Sequence, residues 1–109
     1  MTNDAEYLLC ILYKEYTERR NEGKSKRESS YFGSSKSVLE TFFGEWELED
    51  LDDTLWELSR LDYINCLNAS GTIYEFSLTS NGIEYMEKRF KNKLEGLIDT
   101  IAKLKSIIF

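Results

Sequence analysis

One stretch in an otherwise helical chain reads as paired strands, and it fixes the class of fold. Tyr63-Ile64-Asn65-Cys66-Leu67 and Thr72-Ile73-Tyr74-Glu75-Phe76-Ser77-Leu78 are rich in β-formers. They flank the turn signal Asn68-Ala69-Ser70-Gly71, so the pattern predicts a hairpin. Around it the apolar spacing is helical. Tyr7, Leu8, Ile11, Leu12 and Tyr16 predict a first helix from Asp4 to about Arg20, with Thr2, Asn3 or Asp4 as its cap. Leu48, Leu51, Leu55, Leu58 and Leu61 form the stripe of a third helix, about Glu47 to Leu61, with Trp56 beside it. Between them Ser37-Val38-Leu39-Glu40 reads as a capping box opening a short second helix, Val38 to Phe43, closed by Gly44. Gly23 to Ser37 is small, polar and basic, and reads as a long surface loop. Helix, helix, helix, hairpin, helix is a mainly α arrangement with a β-hairpin, of α+β class.

The last helix, capped by Thr79 or Ser80, reads as running nearly to Phe109. As one piece from Ser80 to Ile108 it would be about 43 Å long, more than one small domain needs. Leu94, Leu97, Ile101, Leu104 and Ile108 are spaced 3, 4, 3 and 4, the alternation of a coiled-coil seam, and are the expected interface of a homodimer. The alternative is a break near Asn92 or Gly96 that lets this segment pack back on the first helix. Tyr85, Met86 and Phe90 are expected in the domain core.

The 109 residues make one domain, with residues 1–79 holding the first three helices and the hairpin and 80–109 the C-terminal helix. Histidine is absent, which removes Ser-His and Cys-His nucleophile pairs, His-ligated zinc and imidazole acid–base chemistry. No GxGxxG or GxxxxGK[ST] phosphate cradle occurs. A calcium loop begun at Asp50 would need Gly and Glu where Leu55 and Leu61 stand. The expectation is therefore a non-enzyme with no cofactor and no metal. Cys10 lies in an apolar run and Cys66 in a strand, neither with an adjacent Lys or Arg, so reactive thiols are not expected and a disulfide is possible but unforced. Met1-Thr2-Asn3-Asp4 lacks the positive region of a signal peptide, and no apolar run approaches a membrane span. The expected location is cytoplasmic, away from membranes.

Leu55-Trp56-Glu57-Leu58-Ser59-Arg60-Leu61-Asp62-Tyr63-Ile64, followed by Tyr74-Glu75-Phe76-Ser77-Leu78-Thr79-Ser80-Asn81-Gly82-Ile83-Glu84-Tyr85-Met86, resembles a winged-helix pattern. That pattern is L-x-x-L-x-x-x-G-Y-I, a wing, then Y-x-L-T-x-x-G-x-x-Y-L. The chain is similar to the YjcQ-like small proteins of Gram-positive bacteria and their phages, from roughly Leu48 onward. Asp62 stands where that pattern often has Gly. The resemblance implies a winged helix-turn-helix fold and a DNA-associated transcriptional regulator.

Charge distribution pulls the other way. Overall the chain carries a net charge of −6, but residues 37–87 hold twelve acids against Arg60 alone. In a DNA-binding winged helix the third helix enters the major groove. Here that helix offers Glu47, Glu49, Asp50, Asp52, Asp53 and Glu57, which phosphates repel. Candidate DNA contacts are therefore confined to a basic arm within Arg19 to Lys36: Lys24, Lys26, Arg27 and Lys36. The competing candidate is an acidic protein-binding face of Glu49, Asp50, Asp52, Asp53 and Glu57, suited to a basic protein partner and able to stand in for DNA phosphates. Two functions stay open: a homodimeric regulator touching double-stranded DNA through the arm, and a phage-type interaction or inhibitor module using the acidic helix.

Overall fold

The computed structural model describes residues 1–91 and 93–109. Helix α1 (Asn3–Asn21) is followed by a short α2 (Lys26–Ser30) and strand β1 (Tyr31–Gly33). Then come α3 (Ser35–Phe42), α4 (Leu48–Arg60), β2 (Ile64–Ala69), β3 (Thr72–Leu78), α5 (Ser80–Phe90) and α6 (Leu94–Ile108). The expected α+β class holds, as do the first helix, the leucine-striped helix and the hairpin. No helix among the described residues is long and apolar enough to cross a membrane.

Local chemistry accounts for these boundaries. Thr2 caps α1 by accepting from the Ala5 amide, and Thr79 caps α5 by accepting from the Gly82 amide. The hairpin turns through Ser70 and Gly71, both at positive φ, as a two-residue type I′ loop requires. α4 buries Leu51, Leu55 and Leu58 and leaves Glu49, Asp50, Asp53 and Arg60 outside. The core joins these leucines to Leu8, Leu9 and Leu12 of α1, Ile73 and Phe76 of β3, and Met86 of α5.

Three expectations are corrected. The stretch from Gly23 to Ser37 is not a long loop, because it contains α2, β1 and the start of α3. β1 lies antiparallel to β3, giving a three-stranded sheet in the order β1-β3-β2. Its order is imposed by tertiary contacts. Phe32 stacks on Phe76 at 5.7 Å, and the Arg19 guanidinium lies 4.7 Å above the Phe32 ring while donating to the Tyr31 carbonyl at 2.7 Å. Second, α3 begins before the expected box. Ser34 is the cap, accepting from the Ser37 amide at 3.1 Å, and the helix ends at Phe42 rather than Phe43, with Phe43 instead of Gly44 closing it.

Third, the helix from Ser80 to Ile108 is not continuous. Lys91 adopts the left-handed conformation and closes α5. α6 then turns back and packs along α1, as the alternative reading had it, with Leu97 and Leu104 buried. Asn92, named as one break point, lies outside the described residues. The Arg89 guanidinium pairs with Glu6, tying α5 to the start of α1.

Candidate functional site

The acidic helix presents its carboxylates in two groups. Glu49, Asp50 and Asp53 are exposed, and the first two lie in the first turn, where the positive helix end favours them. Glu45 and Glu47, just before the helix, are exposed as well. None of these five has an ion-pair partner among the described residues, whereas Glu6, Glu15, Glu18, Glu22 and Glu84 all do. Glu57 and Asp52 differ from the rest. The Glu57 carboxylate accepts from the Thr2 amide at 2.9 Å and from the Thr2 hydroxyl at 2.8 Å, so it fastens the start of α1 to α4. Asp52 is half-buried, with one oxygen covered and without a donor. Of the sequence-derived face, Glu49, Asp50 and Asp53 are thus open to a partner, Glu57 is engaged within the chain, and Asp52 is partly covered.

The basic candidates are exposed but do not form a flexible arm. Lys26 and Arg27 open α2, Lys36 lies in the first turn of α3, and Lys24 sits 3.9 Å from Glu22. Arg19 and Arg20 are drawn into the fold, Arg19 by Glu15 and by the carbonyls of β1 and α2, Arg20 by the Lys24 carbonyl. Only Lys26, Arg27 and Lys36 of the named bases between Arg19 and Lys36 have no ion-pair or hydrogen-bond partner among the described residues.

The proposed dimer stripe is largely turned inward. Leu97 is 2% exposed and Leu104 is buried, Ile101 and Ile108 are half-buried, and Leu94 alone is 53% exposed. Beside Leu97, a 300 Å³ cleft runs between α1 and the α5–α6 junction, lined by Tyr13, Thr17, Asn21, Phe90 and Leu94.

An aromatic groove that charge and spacing did not lead one to expect lies at the other end of α1. Tyr7, Phe43 and Trp46 gather there with Phe109: Tyr7 lies 6.2 Å from Trp46, and the Phe43 and Phe109 rings meet it edge-on at 6.1 and 6.0 Å. The run Phe42-Phe43-Gly44-Glu45-Trp46 was the available signal. The Trp46 Nε1 is covered and lacks an acceptor among the described residues, an arrangement that costs about 1–3 kcal/mol. Burial and the nearby Glu45 charge push the Tyr7 phenol above its ordinary range.

Both cysteines are free thiols. Burial pushes Cys10 up to about 12 and Cys66 up to about 11, the Asp52 charge adding to the second. Because these folded-state values exceed the ordinary thiol value of 9.0, the neutral thiols favour the folded state below that pH. This contribution declines as pH rises through the folded values. Urea midpoints are expected to be flat up to about pH 9 and to fall between there and about 12, with thiol reagents reacting slowly at neutral pH until the chain unfolds. Flat midpoints across that window, or rapid labelling of Cys10 in the native protein, would contradict the burial of Cys10. Among the described residues no group of three or more His, Cys, Asp or Glu is arranged to hold a metal.

Comparison with family models, with curated proteins and with solved structures finds no match to this chain.

Proposed function

We propose that this chain is a winged-helix domain of YjcQ-like, prophage type that acts in the cytoplasm as a protein-binding module, with α4 taking a basic partner. Support for the fold reading comes from the order α1, β1, α3, α4, β2, β3 and the sheet order β1-β3-β2, in which the hairpin directly follows α4. In DNA-binding members of that architecture, the helix in α4's place enters the major groove. The observation that carries the functional reading is the row of five exposed, unpaired carboxylates from Glu45 to Asp53, on and just before that helix. The strands of the hairpin add no Lys or Arg. A phosphate backbone is repelled by such a surface, and a basic protein is drawn to it.

The regulator reading retains one specific support, the exposed Lys26, Arg27 and Lys36 on α2 and α3. Titrating the protein at low salt against a labelled arginine-rich peptide and against a labelled mixed-sequence duplex separates the two. The peptide is expected to bind and the duplex not. Neutralising Glu49, Asp50 and Asp53 together to Gln, Asn and Asn removes three exposed charges worth ~0.2–1 kcal/mol each, so peptide affinity should fall by about threefold to a hundredfold. Salt-sensitive duplex binding that is lost in the Lys26→Ala, Arg27→Ala, Lys36→Ala variant would instead establish DNA as the partner.

A further inference from the structure

The aromatic groove and the acidic start of α4 are one continuous feature. A cavity of 260 Å³ is walled by Tyr7, Phe42, Phe43, Trp46 and Phe109, with Glu45 and Lys105 both on its lining. A second hollow of 180 Å³ shares Glu45, Trp46 and Phe109 with it and adds the carboxylates of Asp4, Glu47 and Asp50. Four acids against one base surround a ring-lined slot. Trp46 lies between the two hollows, 5.3 Å from Phe43 and 6.5 Å from Phe109, and holds an indole donor that the chain leaves without an acceptor.

We propose that this groove is the anchor pocket for an arginine side chain of the basic partner. The inference rests on the protein-binding reading of α4 and names the residue class that reading would recognise. A guanidinium is flat and weakly hydrated, so it lies against aromatic faces. At the same time, its fork of N–H groups donates to carboxylates in a way a lysine ammonium does not. The groove supplies both halves: ring surface from the half-buried Trp46 and the exposed Phe109, and acceptors from Glu45, Glu47 and Asp50.

The test reads Trp46 emission in a Trp56→Phe background while an arginine-rich peptide is titrated at low salt, with peptide anisotropy followed in parallel. Emission is expected to shift saturably with the same midpoint as the anisotropy. Glu45→Gln and Phe109→Ala should each weaken binding about fivefold. Glu22→Gln removes an equal charge about 22 Å along α1 from Tyr7 and should change it less than about twofold. A lysine-rich peptide of equal charge should bind at least about threefold more weakly. If the peptide binds but Trp46 emission and both groove variants are unaffected, the anchor pocket is wrong and the α4 reading survives. If Glu22→Gln weakens binding as much as Glu45→Gln, or lysine equals arginine, the attraction is diffuse charge and the pocket is again wrong. If no peptide binds at low salt, both readings fall.

Discussion

Gly82→Ala is expected to cost about 3 kcal/mol, lowering the melting temperature by roughly 15 °C in a domain of this length. In an exposed helix the same change would be favourable, because alanine is the better helix former by about 1 kcal/mol. At position 82 the backbone of α5 crosses directly over the start of the hairpin. A Cβ there would sit well inside van der Waals contact of the Tyr63 carbonyl oxygen and 3.0 Å from its carbonyl carbon. Backbone cannot rotate aside as a side chain can, so α5 would have to retreat. Retreat would strain the Thr79 amide's bond to the Tyr63 carbonyl and the Thr79 hydroxyl's bond to the Asp62 carbonyl, 3.0 and 2.6 Å long. It would also separate the Tyr63 and Tyr85 rings, stacked at 4.7 Å. Gly96→Ala is the control: among the described residues its Cβ would meet only the Phe90 ring, at 3.7 Å, so stability should rise slightly. Equal melting of Gly82→Ala and the parent protein would show that the crossing is looser than described.

Leu97→Ala should cost about 3 kcal/mol, within the range for deleting a fully buried leucine. The side chain borders the cleft between α1 and the α5–α6 junction, so its removal enlarges a space that is already there and the neighbours gain little by collapsing. The concentration dependence is the informative readout. A leucine packed within one chain gives a melting temperature independent of protein concentration, whereas a leucine in a dimer seam gives one that climbs with it. Concentration-independent melting is expected for the parent and the variant alike. Melting that tracks concentration and is abolished in Leu97→Ala would restore the seam between two copies.

The parts of the fold that were legible carry their cause within a few residues. Thr2 and Thr79 cap the helices they precede, the leucine stripe of α4 has helical spacing, and Ser70-Gly71 suits a tight hairpin turn. The L-T-x-x-G step was visible as a motif, but its reason was not: Gly82 is required by Tyr63, nineteen positions earlier. β1 was hidden because three residues show no alternation, and Phe32 becomes a strand residue only once Phe76 and Arg19 are beside it. A break near Asn92 or Gly96 stood as the alternative, but nothing local chose it over a continuous helix, since Lys91 takes a left-handed conformation that usually advertises itself as glycine. Asp62 does the same at φ 63°, at the position where the resembling pattern often has Gly. Its carboxylate accepts from the Asn81 side-chain Nδ2, a compensation glycine could not offer.

Of the candidate site, the acidic patch was readable because charge needs no partner to be seen. The engagement of Glu57 by Thr2 and the meeting of Tyr7, Trp46 and Phe109 were not, for both join segments more than thirty residues apart.

In the sheet, β3 is the central strand yet the last of the three in the sequence. During synthesis both outer strands therefore emerge before anything exists for them to pair with. A nascent chain halted before Thr72 has no ladder, and one halted before Leu94 still lacks the helix that covers α1. Order in the sheet therefore arrives late and together, once β3 has emerged to join the two strands made before it.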